Sequence, residues 1–395
     1  MMLARTFRPF HCSSRYSNHP CRRSFSDSNY GFSEVLKPFD LNDTAQCNVT
    51  VNIASKVGMN LHRKPLHPLH ILNQKIRSYW GDSFQVFDDI SPVCSTHASF
   101  DQLRIPAEHV SRDTSDTYYL DTDTVLRPHT SAHQVELLSQ GHDRFLVSGD
   151  VYRRDEIDRS HYPVFHQMEG VKIFKSFESE NPDDHVMEMK KDLQAELEGL
   201  ATHLFGEVGM RWEADHFPFT HPSYELEIFY DDEWMEVLGC GVIHPEIMEN
   251  AGRPGEKGWA FGLGLERLAM VLFNIPDIRL FWSEDERFHR QFASGDIVEF
   301  KPYSKYPPCT KDISFWLSNE FCSNDLNEIV RDVAGDLVEQ VDLMDEFLNR
   351  KTMRYSHCYR ITYRSMDRSL TNEEVDELQE EVRHQVVAFL GVELR

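Results

Sequence analysis

Two arginines stand where their surroundings suit them to hold phosphate. Arg267 follows the run Trp259-Ala260-Phe261-Gly262-Leu263-Gly264-Leu265-Glu266 and lies one turn into an apolar helix. Gly262 and Gly264 withdraw side-chain bulk where a strand turns into that helix, beside N–H groups with no partner of their own and a positive dipole end. The arrangement fits a nucleotide, although a Gly-rich turn with Arg267 on a solvated face has the same composition. Arg153 belongs to a second cassette upstream, VYRRDEIDRSHYPVFHQMEG, between two strand-like runs. A guanidinium suits both places because its planar fork grips two oxygens and never deprotonates.

The elements around these residues can be read from periodicity. Phe145, Val147 and Val151 share one parity and Ser148 and Asp150 the other, which predicts a half-buried strand ending near Tyr152. A polar loop then leads to a second strand, Val164 to Phe174, on which Phe165, Gln167, Glu169 and Val171 share a face. An amide and a carboxylate on an otherwise apolar face cost several kcal/mol if buried and unpaired, so this pair is expected to read a ligand. Upstream, Leu69, Leu72 and Ile76 predict a helix over 68–79 closed by Trp80 and Gly81, and Phe84, Val86 and Phe87 predict a strand. Residues 31 to about 70 read as a polar lead-in with one short apolar run, and the stretch FDQLRIPAEHVSRDTSDTYYL as loop.

Composition narrows the possibilities. A chain of 395 residues with 40% hydrophobic content has room for one large core and one small one. No apolar run approaches the 18 or so residues of a spanning helix. The cysteines, at 12, 21, 47, 94, 240, 309, 322 and 358, include no C-x-x-C pair, which tells against zinc sites and a disulfide framework. A net charge of −24 confines any nucleic-acid contact to a local basic patch on an acidic body. Residues 1–30 differ in kind: Arg5, Arg8, Arg15, Arg22 and Arg23 precede the first acidic residue, Asp27, among many serines. That is the composition of an organelle transit peptide, for mitochondrion or plastid.

The ordered set DTYYLDTDTVLRPHTSAHQ, VYRRDEIDRSHYPVFHQMEG, FPFTHPSYELE, WMEVLGCG, WAFGLGLERLAM and SKYPPCTKDISFWL resembles the phenylalanyl-tRNA synthetases in their single-chain organellar form. The resemblance covers nearly all the chain after residue 60. It implies an α+β fold: a class II synthetase catalytic domain over 31–295, an antiparallel sheet with flanking helices, followed over 301–395 by a ferredoxin-like anticodon-binding domain. The implied substrates are ATP, L-phenylalanine and tRNA(Phe), with Mg2+ as cofactor, in a monomer of the mitochondrial matrix or, alternatively, the plastid stroma.

The same resemblance distributes roles. Arg153 is implied to hold the α-phosphate and the substrate carboxylate, and Arg267 the γ-phosphate end of a bent ATP. Gln167 and Glu169 would read the substrate ammonium, with His129, Ser131, Ala132, His133 and Gln134 of the HTSAHQ run and Ser160, His161 and Tyr162 contacting substrate. Phe217 and Phe219, at alternate strand positions, would meet its ring edge to face, and Ala260 would leave that ring room. Phe261 would stack on adenine, with Gly262, Gly264 and Glu236 completing the ATP site. Two-chain bacterial relatives carry glutamate at the place of His221, where it helps hold magnesium. No protein ligand of the metal is therefore certain, with Glu236 the possible one. Arg154 reads as an ion-pair residue.

From residue 301 the pattern is strand, helix, strand, strand, helix, strand: Ile313–Leu317, a helix lined by Leu326, Ile329, Val330, Val333 and Leu337, then Val341–Leu348 and Tyr355–Tyr363. A helix opened by the capping box Thr371-x-x-Glu374 and a short end strand complete it. This is a split βαβ order with one sheet face open. Tyr359 and Ile361 are expected under the helices, so that Arg360, Thr362 and Arg364 point outward. With Arg354 and Arg368 they form a basic patch suited to an anticodon loop, though a solvated strand face has the same pattern.

Overall fold

The computed structural model describes residues 33–43, 45–302 and 306–395. The expected transit peptide, 1–30, lies outside the described residues. The chain packs as two compact units, one of residues 33–154 with 159–302 and one of residues 306–395 with 155–158. Among the described residues no helix is long and apolar enough to cross a membrane.

In the first unit the strands are β1 (Gln85–Phe87), β2 (Val93–Ser95), β3 (Thr124–Leu126), β4 (Arg144–Tyr152), β5 (Val164–Ile173), β6 (Gly209–Asp215), β7 (Thr220–Tyr230), β8 (Glu233–Ile243) and β9 (Gly258–Gly264). Seven of them form one sheet in the order β1-β4-β5-β9-β8-β7-β6. Its neighbours are antiparallel except β1 and β4, which run parallel. The expected antiparallel sheet is therefore mixed at one edge, because the long connection from β1 to β4 returns the chain to the same end.

Helices Pro68–Trp80, Pro182–Phe205 and Leu265–Leu272 lie against one face. The first ends as expected, with Gly81 in a positive-φ conformation that glycine tolerates. Trp259, Phe261, Met168, Leu226 and Leu238 are buried beneath this layer. On the other face a cluster built from Phe145, Val147, Val171, Ile243 and Ala260, with Phe100, Leu103 and Val135 above, covers one end of the strands.

Three sequence expectations change here. β4 is buried on both faces rather than half-buried: Ser148 donates to Asn73 Oδ1 at 3.1 Å and Asp150 is ion-paired with Arg127, so its polar parity is satisfied inside the protein. The lead-in before residue 70 belongs to the core, with Leu36, Cys47, Val49, Ile53, Ala54 and Leu61 buried around a short helix, Val51–Lys56, capped by Thr50. The long helix Pro182–Phe205 has no counterpart in the expectations, although Met189, Leu193, Leu197, Leu200 and Leu204 bury one stripe of it.

In the second unit β10 (Cys309–Trp316), β11 (Val338–Asn349), β12 (Arg354–Tyr363) and β13 (Glu393–Leu394) form a sheet in the order β11-β12-β10-β13. Helices Ser323–Ala334 and Asn372–Leu390 cover one face, over Ile313, Phe315, Tyr359, Ile361 and Tyr363. Thr371 caps the second helix by accepting the Glu374 N–H at 3.2 Å. The first helix stops at Ala334, short of Leu337, because Gly335 turns to positive φ. This is the ferredoxin-like arrangement.

Candidate active site

Strand register assembles the floor of the site. On β5, Gln167 lies opposite Gly149 of β4 and Gly264 of β9, Glu169 opposite Val147 and Gly262, and Val171 opposite Phe145 and Ala260. Directly paired residues project to the same face, so Gln167, Glu169, Ala260, Gly262 and Gly264 share the side away from the helices. A Cβ on Gly262 or Gly264 would meet no protein atom within 4 Å. By contrast, a Cβ on Gly239 would come within 2.8 Å of the Phe217 ring, and one on Gly170 within 2.1 Å of the Phe261 ring. Those two glycines accommodate protein side chains, whereas Gly262 and Gly264 border open space.

The same alternation removes Phe261 from the site. As the neighbour of Ala260 it projects to the helix side, where it is 2% exposed and stacks on Trp80 at 5.3 Å and 25°. Its expected contact with adenine is corrected accordingly. The aromatic ring that shares the face of Gln167 is Phe165, which is half-buried with the Arg153 guanidinium 5.3 Å from its centre. Phe165 lies opposite Val151 of β4 in register, but periodicity alone could not rank it above the other phenylalanines.

Both arginines leave the same end of the central strands, since Tyr152 pairs with Val164 and Gly264 with Gln167. Arg153 is tethered by its Nε, which donates to the Pro128 carbonyl at 2.6 Å. Arg267, on the exposed side of its helix, meets Glu236 at 2.8 Å. Arg154 is buried and donates to the Thr114 carbonyl at 2.6 Å. Near Arg267 the Glu225 carboxyl is pushed up to about 7 by burial and then by Glu236 and Asp215. Among the described residues no three His, Cys, Asp or Glu side chains gather as a metal site.

The HTSAHQ run forms a 3-10 turn, Thr130–His133, leading into the helix Gln134–Ser139. The turn brings Ser131 to donate to Glu169 Oε2 and the Thr130 N–H to Gln167 Oε1 at 3.3 Å. Ala132, His133 and Gln134 are buried. The second Glu169 oxygen and both amide atoms of Gln134 are buried without a hydrogen-bond partner. Burial raises the Glu169 carboxyl to about 7, against the opposing hydrogen bond from Ser131. Burial lowers His129 to about 3, aided by Arg153, and His133 to about 3, aided by Arg127, so both rings are neutral.

Arg127 carries no expected role, yet it organises this corner. It is fully buried, pairs with Asp150 at 2.8 Å, donates to His133 Nε2 at 2.8 Å and fills the space a side chain on Gly149 would need. Its position directly ahead of the HTSAHQ run was the available signal. Phe217 and Phe219 lie in the turn before β7 and not on a strand, as alternation had suggested. They stack on each other at 6.0 Å and 15°, Phe217 over Gly239 and Phe219 against the cluster that contains Ala260. Tyr162 belongs to another grouping: its buried ring stacks on Trp282 at 5.5 Å, with the Lys56 ammonium near both rings. Ser160 and His161 sit beside each other in the preceding loop, 3.4 Å apart.

An antiparallel-rich sheet with helices on one face and glycines bordering open space on the other, with Arg153 and Arg267 leaving the same end of its central strands, has the architecture of the catalytic domain of a class II aminoacyl-tRNA synthetase. Residues 48–292 match the family described as tRNA synthetases class II core domain (F), and residues 304–395 the ferredoxin-fold anticodon binding domain. The chain is 57% identical over 354 residues to the chloroplastic/mitochondrial phenylalanine--tRNA ligase of Arabidopsis thaliana, covering 88% of this chain and 82% of that one. It is 49% identical over 386 residues to the mitochondrial enzyme of Mus musculus, covering 88% and 86%. To the mitochondrial enzyme of Dictyostelium discoideum it is 46% identical over 404 residues, covering 88% and 89%. The chain belongs to the organellar phenylalanine--tRNA ligase family.

Proposed function

We propose that this chain activates L-phenylalanine with ATP and transfers it to the ribose of tRNA(Phe) in the mitochondrion, with the plastid as the alternative, and that it works as a monomer. The observation that carries the reading is a juxtaposition: Glu169 lies directly opposite Gly262 in the β5–β9 register. A buried anion for the ammonium and a glycine beside open space for phosphate are thus neighbours.

In the first step a carboxylate oxygen of phenylalanine bonds to the α-phosphorus, and the bond to the pyrophosphate oxygen breaks. Negative charge must be stabilised where it develops, and fixed cations do this without reorganisation. Arg153 supplies one fork for the α-phosphate and the substrate carboxylate, Arg267 a second for the γ-phosphate end. The Arg267–Glu236 pair is exposed and hence weak, so phosphate can replace the carboxylate at small cost. Adenine would use the face of Phe165, in place of Phe261. Magnesium is carried as the ATP complex, and Glu236 and Glu225 are the carboxylates suited to approach it.

The ammonium is received by Glu169, Ser131 and Gln167. A neutral His129 adds no competing positive charge, and Gln134 retains amide atoms able to bond the substrate. Phe217, Phe219 and Ala260 bound the slot for the phenyl ring. In the second step a tRNA ribose hydroxyl attacks the activated carbonyl and AMP leaves.

Amino-acid-dependent ATP–pyrophosphate exchange across the twenty amino acids tests the assignment. Phenylalanine should dominate, with tyrosine the nearest competitor, because an apolar slot rejects an added hydroxyl only about a hundredfold. Exchange supported best by a polar or charged amino acid would overturn it.

A further inference from the structure

The open face of the second sheet does not present the basic patch in the form the pattern suggested. Arg360 lies opposite Asp312 on β10 and Asp342 on β11, and its guanidinium gives two 2.8 Å hydrogen bonds to Asp312. Arg364 is ion-paired with buried Glu339 at 2.8 Å, and Arg368 with Glu374. A phosphate arriving at these arginines would meet their carboxylates as well.

One end of the same face is built differently. Trp316 on β10 lies opposite Ser356 on β12, which lies opposite Phe347 on β11. The two rings meet across Ser356 at 6.2 Å and 61°, leaving Ser356 2% exposed while Phe347 stays 41% exposed. The Arg395 guanidinium is 5.0 Å from the Phe347 centre and 5.5 Å from that of Trp316, and the Arg354 guanidinium is 5.3 Å from Trp316. Arg354 also meets Glu393 at 2.8 Å, an exposed pair of the same kind as Arg360–Asp312, so what sets this end apart is the two rings together with Arg395. The adjoining β11–β12 turn exposes Arg350 and Lys351. In a chain of net charge −24, this end of the sheet gathers flat apolar rings and cations together.

Rings that are partly exposed, with guanidinium planes over them and further cations alongside, match the requirements of unpaired nucleotides: bases stack and phosphates find positive charge. We propose that Trp316 and Phe347, flanked by Arg354 and Arg395, are the stacking surface for unpaired bases of the anticodon loop. The proposal deepens the reading above and rests on the second unit holding tRNA. It moves the contact from the centre of the sheet, around Arg360, to its Trp316 end.

The test uses the full chain with Trp316→Leu, Phe347→Leu and the double variant, since leucine still covers Ser356 but cannot stack on a base. Thermal unfolding first confirms that each variant folds. Affinity for the tRNA transcript should then fall about tenfold or more per ring lost, with a matching rise in the tRNA KM for charging. Pyrophosphate exchange, which needs no tRNA, should not respond. A hairpin RNA carrying only the anticodon loop should compete for the wild type and lose that ability against the double variant. If Arg360→Glu with Arg364→Glu abolishes tRNA binding while the leucine variants bind normally, the stacking surface is refuted and the role of the unit survives. If neither set alters tRNA affinity, both fail. A leucine variant that changes only the association state of the chain would assign the face to a second copy and overturn the proposal.

Discussion

Glu266 and His166 are joined twice, the main-chain N–H of His166 to Oε2 at 2.7 Å and its ring Nδ1 to Oε1 at 2.7 Å, with both side chains buried. Glu266 precedes Arg267, and His166 precedes Gln167. This one contact therefore links the start of the helix that carries Arg267 to the strand that carries Gln167 and Glu169. Glu266→Ala would strand a buried N–H and an imidazole, costing about 3–5 kcal/mol, and should raise the KM for ATP as the helix loses its register. Chemical denaturation and ATP titration check both effects. A loss below about 1 kcal/mol would mean that the helix is held by packing alone.

Glu169 makes the site pH-dependent. Its folded pKa is raised to about 7 from the ordinary 4.5. The folded state therefore binds the extra proton between those values, and the stability contributed by protonation is lost as pH rises from the unfolded pKa through the folded one. The penalty above pH 7 is about 3 kcal/mol as an upper order of magnitude. Glu169→Gln should thus melt higher than wild type at pH 8, with the advantage gone near pH 4. The same variant should lose phenylalanine activation, and the wild-type KM for phenylalanine should rise below pH 7 as the carboxylate protonates. A pH-independent KM across 6 to 8 is the contrary result.

Removing either of the arginines proposed to hold phosphate should separate catalysis from folding. Arg267→Ala takes away an exposed side chain and should change stability by no more than about 0.5 kcal/mol. Pyrophosphate exchange should nonetheless fall by about a hundredfold or more. Arg153→Ala should be at least as damaging to exchange, because Arg153 is assigned to both the α-phosphate and the substrate carboxylate. Retention of exchange by the Arg153 variant would remove it from the reaction.

Gly264→Ala addresses the space itself. The backbone at Gly264 has φ −85°, which alanine adopts without strain, and an added Cβ would touch no protein atom. Folding should be unchanged or firmer by about 0.4–1 kcal/mol. ATP affinity should fall, because the methyl group occupies room assigned to phosphate. Equilibrium denaturation together with ATP titration separates these outcomes, and an unaltered ATP KM would empty the glycines of that role.

Periodicity was most informative where one face of an element is buried. The second unit shows this: its strands and helices sit where alternation and the Thr371 cap predicted, because each element presents a single apolar stripe to a single layer. Periodicity was less informative in β4 and before residue 70. There, burial on both faces, or from several directions, erases the alternation that reveals it. Phe261 and Phe165 illustrate the limit within the site. Both are aromatic residues in a site cassette, and only strand parity fixed by the β5–β9 register turns one to the helices and the other to the hollow.

Residue types and their order along the chain were enough to identify the family and its reaction class. A guanidinium keeps its charge and a glycine its lack of bulk in any surroundings, and the ordered cassettes mark a family. What lies beside what was decided by tertiary structure alone. Arg127 beneath His133, Glu266 on His166, Gly262 opposite Glu169 and Trp316 across from Phe347 join residues from separate segments. Their distances follow from how strands align and which face each side chain takes, and no local pattern encodes that alignment.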